Sequence, residues 1–312
     1  LLIKTIYQQK FNLLKSVLAD FKLLNLQPKI GIELEFYLEK QDQDNKFSAA
    51  NQHLVQNFIS QLKSELQKEN INILDVEPEQ GFGQIEVKTK PYSDLELLCQ
   101  HITKIKTIAS DLSLNFDCRT NFLSQPYPND CGSALQINFS LIDLQNNFLF
   151  AGNSQQESDY LLRSVANLLK FTKSTMLIFA PTQQDYSRFD LELNRNLHKN
   201  SKYTAPVNIS WGYENRTTLI RIPKTKDEAQ RRLEFRLAAS NVDIYLAITF
   251  FLLIILDATD NNIKPTLPIY GNAFDEKYQL ELLPNNYQTT QDNFLKDNFI
   301  LAAIKQRLFV SN

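Results

Sequence analysis

Glu33-Leu34-Glu35 sets two carboxylates two residues apart. In an extended strand that spacing sends both side chains to one side. Two carboxylates aimed into the same space suit a hard divalent cation, which takes oxygen ligands. Three other segments are built alike. Gln84, Glu86 and Lys88 alternate with Ile85 and Val87. Gln136, Asn138 and Ser140 alternate with Leu135, Ile137, Phe139 and Leu141. Arg232, Glu234 and Arg236 alternate with Leu233, Phe235 and Leu237. Each strand therefore has one apolar face and one face of carboxylates, amides or guanidiniums. The polar face is either solvated or the wall of a site. Solvated faces tend toward Lys, Thr and Ser, whereas Glu-x-Glu and Arg-x-Glu-x-Arg point to a site. The chain has only seven glycines, and five of them (Gly31, Gly81, Gly83, Gly132 and Gly212) fall in or beside informative segments. There the backbone must turn sharply or approach a ligand closely.

Helices must position these strands. Apolar residues at helical spacing predict helices over residues 5–26, 53–68, 94–112, 160–178 and 294–309. Residues 244–257 are apolar all round, which predicts a buried helix. Three prolines in 265–284 predict an irregular connection. Residues 189–204, rich in Asn and poor in apolar anchors, read as a mobile flap without regular structure over much of its length.

With 312 residues the chain can bury a full core. Lys and Arg total 33 against 35 Asp and Glu, which removes the electrostatic case for a nucleic-acid or acidic-membrane binder. The longest apolar run is shorter than the ~20 residues a bilayer needs, so no membrane span is expected. Cys99, Cys118 and Cys131 lack metal-ligand spacing and favour a reducing compartment, hence a cytoplasmic protein. His53, His101 and His198 are the only histidines, the first two read as solvated.

Read in chain order, the segments resemble the glutamine synthetase catalytic domain. The resemblance is carried by Glu33-Leu34-Glu35-Phe36-Tyr37, by Glu79 with Gly83-Gln84-Ile85-Glu86, and by Gly132 through Leu141. It continues in Ala180-Pro181-Thr182 with Tyr186 and Arg188, in Ala205-Pro206-Val207, and in Trp211-Gly212. Asn215-Arg216, Ile220-Arg221-Ile222-Pro223 and Arg231 to Arg236 complete it.

The resemblance implies one α+β catalytic domain over 1–312, with a curved antiparallel sheet forming a catalytic funnel backed by helices. It implies an ATP-dependent ligase that joins L-glutamate to ammonia through γ-glutamyl phosphate, with Mg²⁺ or Mn²⁺ as cofactor and ATP as substrate. Glu35, Glu79 and Glu86 would hold one metal ion and Glu33 and Glu234 the other, with Gln136 at a further metal-ligand position. Arg216 would act in catalysis, with Arg221 also serving the phosphates. Gly132, Arg188 and Arg236 would bind glutamate, and Asn138, Ser140 and Arg232 would lie with Arg221 near the nucleotide.

The chain also departs from the family pattern. Gln136 and Asn138 replace the two histidines of a His-x-His strand, which predicts weaker metal binding. Cys131 replaces an Asn beside Gly132 and reads as buried filler. Thr204 stands where the family has a flap glutamate, and Glu192 is the candidate substitute. The family's N-terminal β-grasp domain is expected to be absent, to be supplied by a homo-oligomer or a partner chain. Two alternatives follow: a γ-glutamyl ligase for a larger amine, or a degenerate non-catalytic remnant of the family.

Overall fold

The computed structural model describes residues 2–152 and 157–309. Its strands are β1 (Leu26–Gln41), β2 (Phe47–Ala49), β3 (Ile73–Pro78), β4 (Gln84–Thr89), β5 (Cys118–Asn121), β6 (Leu135–Asp143), β7 (Trp211–Tyr213), β8 (Ile220–Ile222) and β9 (Leu233–Phe235). Its helices are α1 (Leu2–Gln8), α2 (Lys10–Leu23), α3 (Gln52–Lys68), α4 (Leu95–Leu114), α5 (Asp159–Phe179), α6 (Leu191–Lys199), α7 (Ile244–Asp260), α8 (Tyr287–Lys296) and α9 (Asn298–Phe309).

The strands form one mixed but mostly antiparallel sheet in the order β3-β4-β1-β6-β9-β8-β7, with β2 and β5 also paired to β1. The β7–β8 pair is parallel, a departure from the all-antiparallel expectation. Alternation builds the core. Ile32, Leu34, Phe36, Ile85, Val87, Leu135, Ile137, Phe139, Leu233 and Phe235 are all buried. Each such side chain contributes roughly 1.5–3 kcal/mol when fully removed from water.

Helices cover this apolar face, and α7 packs between α5 and α2. It is buried along nearly its whole length, as its sequence predicts, and Asp243 caps its first turn through the N–H groups of Tyr245 and Leu246. Among the described residues, no helix is long and apolar enough to cross a membrane.

Three expectations change. The opening helix is two helices that meet at Gln9, and the terminal one is two that meet at Asp297. The segment 189–204 is not irregular, because α6 occupies most of it. Asp190 caps α6 by accepting from Leu193 N–H at 2.7 Å. Leu197 and Asn194 are buried. Asn194 donates to the carbonyls of Arg188 and Asp190 and accepts from Ala205 N–H at 2.7 Å. Finally, His101 is half-buried and shares a 2.8 Å hydrogen bond with Tyr92 Oη, while His53 is exposed as expected.

Candidate active site

Strand register assembles the site. Glu35 lies directly opposite Glu86, and Glu33 opposite Lys88. On the other side of β1, Glu33 faces Gln136, and farther along β6 Asn138 faces Glu234, which in turn faces Arg221. Like charges directly opposite on neighbouring strands destabilise a sheet, so the Glu35–Glu86 pair disfavours ionisation of both.

Glu79 completes that cluster from the turn between β3 and β4. Gly83 makes the turn with a φ of 85°, a conformation most side chains avoid. Gly81 leaves room for Tyr37, because a Cβ there would fall 2.0 Å from its hydroxyl oxygen. Tyr37 uses that hydroxyl to donate to the Cys131 carbonyl at 2.7 Å. Gln84 accepts from Gly81 N–H and donates to the Gly132 carbonyl at 3.1 Å, tying the turn to the Gly132 segment.

One oxygen from each of Glu35, Glu79 and Glu86 lies within 4.8 Å of the other two. Burial and the neighbouring Glu35 raise Glu79 to about 7. Burial, then Glu35 and Glu33, raise Glu86 to about 9, against the lowering effect of Lys88. Burial likewise raises Glu35, although Arg188 and hydrogen bonds from Ala134 N–H and Gln136 Nε2 oppose it. Three crowded carboxyls that resist ionisation, all offering oxygen, fit a hard cation such as Mg²⁺ or Mn²⁺.

The second expected ligand set is arranged differently. Glu33 accepts from Asn138 Nδ2 at 3.0 Å. Gln136 donates to Glu35 at 2.6 Å and accepts from Arg236 at 3.3 Å. Glu234 is paired with Arg221 at 2.6 Å and Arg236 at 2.8 Å, one carboxylate oxygen to each. Burial would raise its carboxyl, but the two arginines outweigh burial and hold it below the usual range.

Two cavities flank these rows. The smaller, about 20 Å³, is lined by Glu35, Glu79, Gly132, Gln136, Arg188 and Arg236 among others. Arg188 anchors on the carbonyls of Arg236 and Leu237 at 2.9 and 3.0 Å. Burial pulls its guanidinium down to about 10, so it stays charged at neutral pH. The Thr182–Asp185 capping box fixes the short helical turn that presents Arg188.

Tyr203 and Thr204 line this cavity, with Lys202 just before them in the chain. Lys202 pairs with Asp130, Tyr203 N–H donates to Gln80, and the Thr204 carbonyl accepts from Arg236 at 2.8 Å. Arg216 stacks on the Tyr203 ring, 4.5 Å from its centroid. Asn215 presents Arg216 by donating to the carbonyls of Ile269 and Gly271. Cys131 is buried beside them, and burial pushes its thiol up to about 12.

The larger cavity, about 550 Å³, is lined by Glu33, Asn138, Ser140 and Arg232, with Lys29 and Lys88. Phe139, Phe148, Ile32 and Pro91 supply an apolar side. Arg221 is not among its lining residues, since it is committed to Glu234 and Glu214. Glu192 lies at neither cavity: it is exposed on α6 and pairs with Arg195. Sequence reading assigned no role to Lys88 or Asn194. The signal for Lys88 was its position two residues after Glu86, on the same face.

The fold and this cluster define an α+β protein built around a carboxylate-lined sheet. A model of the glutamine synthetase catalytic domain matches residues 11–311, and the chain belongs to that family. It is 26% identical over 306 residues to glutamine synthetase of Clostridium saccharobutylicum, covering 92% of this chain and 66% of that protein. It is similar to glutamate–methylamine ligase of Methyloversatilis universalis, 26% identical, covering 79% of this chain and 55% of the relative. It is also similar to γ-glutamylputrescine synthetase PuuA of Escherichia coli K12, 21% identical, covering 85% and 58%. The chain thus spans between about half and two thirds of the length of these relatives. A solved structure of GmaS in complex with ADP superposes with a TM-score of 0.79 at 19% identity, covering 95% of this chain and 70% of that one.

Proposed function

We propose that the chain carries the catalytic site of an ATP-dependent glutamate–amine ligase. The observation that carries this reading is the Glu35–Glu79–Glu86 cluster, set between a small polar pocket and a larger cavity lined by cations. In such a reaction the glutamate γ-carboxylate attacks the γ-phosphorus of ATP and ADP leaves. The amine nitrogen then attacks the acyl phosphate, phosphate leaves, and a proton is lost from nitrogen.

Glu35, Glu79 and Glu86 would hold Mg²⁺ or Mn²⁺, which when bound neutralises phosphate charge. Asn138, Ser140 and Arg232 would position the nucleotide in the larger cavity. Arg216 would meet the transferring phosphoryl group. Among the described residues its guanidinium makes no hydrogen bond or ion pair; it stacks on the Tyr203 ring and its charge acts on Glu79, so its donors are available. Arg188, Arg236 and Gly132 would frame the glutamate.

The amine is where this chain differs. Among the described residues, the carboxylates lining the small pocket are Glu35 and Glu79, both of the metal cluster. Thr204 stands at the pocket and Glu192 does not. Capture and deprotonation of ammonium needs an acidic group there. Phosphoryl transfer should therefore outpace amide formation in this chain alone.

ATP turnover with Mg²⁺ or Mn²⁺, followed with and without glutamate and then with ammonium, methylamine or putrescine, tests the reading. Glutamate-dependent ADP release, poorly coupled to amide product, is expected. ATP turnover indifferent to glutamate, or no ATP binding, overturns the reading.

A further inference from the structure

Lys88 has no part in the scheme above, yet it lines the larger cavity and touches Glu86 of the carboxylate cluster. It faces Glu33 across one strand pairing and Asp75 across the other. Its ammonium contacts Glu86 at 2.8 Å and also Glu77. Glu86 is a buried member of the metal cluster, whereas the Glu77 side chain is 43% exposed on the edge strand β3. The same lysine lines the larger cavity beside Lys29 and Arg232, with Glu33 as the single carboxylate among the described lining residues.

These contacts pull in opposite directions once ligands arrive. A positive charge at 2.8 Å from Glu86 competes with any divalent cation that takes the same carboxylate. The same charge, facing the larger cavity, favours an anion there. We propose that Lys88 couples the two ligands. Its ammonium stays on Glu86 while the cluster holds no metal ion. As the ion takes Glu86, the ammonium, still anchored by Glu77, donates to the phosphates of a nucleotide in the larger cavity. This role rests on the reading of that cavity as a nucleotide site.

A lysine that merely braces β3 against β4 gives a different signature. Its loss would loosen Glu86 and the cavity wall together, and both ligands would bind less well. A competing cation gives shifts of opposite sign. Titration calorimetry on the full chain with Mn²⁺ alone, and with ADP in the presence of Mn²⁺, separates the two. Lys88→Met is expected to tighten Mn²⁺ about fivefold and weaken ADP about tenfold. Lys88→Arg should keep ADP binding close to that of the unaltered chain. If Lys88→Met does not fold, Lys88→Gln should show the same pair of shifts.

Loss of both affinities, or no change in either, overturns the role of Lys88 and leaves the ligase reading standing. An unaltered chain that binds Mn²⁺ but not ADP overturns the nucleotide reading, and the coupling with it. The opposed shifts support the coupling, and they do so without any turnover being measured.

Discussion

Glu234 and Glu86 stand on one face of one sheet, both almost wholly buried, and their surroundings push them in opposite directions. Glu234 has a guanidinium on each oxygen and is held in its ionised form. Glu86 has two carboxyls crowded against it and one half-exposed ammonium as relief, and it holds its proton to about 9. One half of the face is electrostatically complete within the protein. The other half is left crowded with carboxyls, relieved by a proton and by Lys88. The contrast locates the ligand-binding chemistry better than burial or acidity alone.

The comparison breaks most easily through stability. Glu234→Gln leaves the buried Arg236 guanidinium without its carboxylate and Arg221 with Glu214 alone, and should cost about 3–5 kcal/mol. Glu86→Gln removes a repulsion and should leave the metal-free chain as stable or more so. Urea denaturation in EDTA reads both. Equal losses would mean that the two carboxylates are alike after all.

Gln136 sharpens the contrast, because its amide touches both Glu35 and Arg236 and so sits on the boundary. Gln136→His exchanges a neutral oxygen for an imidazole. It should tighten Mn²⁺ roughly tenfold in calorimetric titration, in line with the size of effects seen around metal ligands. Unchanged affinity would place Gln136 outside the ion's ligands.

A pH slope is expected as well. Glu79 and Glu86 have folded values of about 7 and about 9, above the ordinary 4.5. A raised carboxyl binds more protons in the folded state, so its contribution to stability falls as pH rises from about 4.5 through the folded value. The metal-free chain should therefore lose roughly ten degrees of Tm between pH 5.5 and 8.5 from these two groups. Mn²⁺ should bind more tightly across the same rise, since it must displace those protons. A flat Mn²⁺ affinity from pH 5.5 to 8.5 would contradict the crowding of the cluster.

Much of this was legible in the sequence because a strand's two-residue period is strict. The positions of Glu33, Glu35, Glu86, Gln136 and Glu234 on one face follow from it, as does the burial of Ile32, Leu34, Ile85 and Phe235. The long-range partners were not legible. That Glu234 would be shared by Arg221 and Arg236 depends on the β8–β9 pairing, which joins segments with no local signal of register. α6 was missed because its anchor is Asn194, a poor helix former by propensity, held by Arg188, Asp190 and Ala205. The same helix carries Glu192 outward, so a candidate that fitted by order in the chain does not reach the pocket. Lys88 was visible as a residue but not as a contact, since Glu77 meets it only through the β3–β4 pairing.

The contacts of residues 202–204 would have a kinetic consequence for the proposed reaction. The cavity that Tyr203 and Thr204 line, about 20 Å³, is too small for an amino acid. Under the proposed function, glutamate would enter only once the contacts of Lys202, Tyr203 and Thr204 had parted, and the amide would leave the same way. The interval between turnovers would then be timed by how often these contacts open, and would lengthen as the solvent is made more viscous.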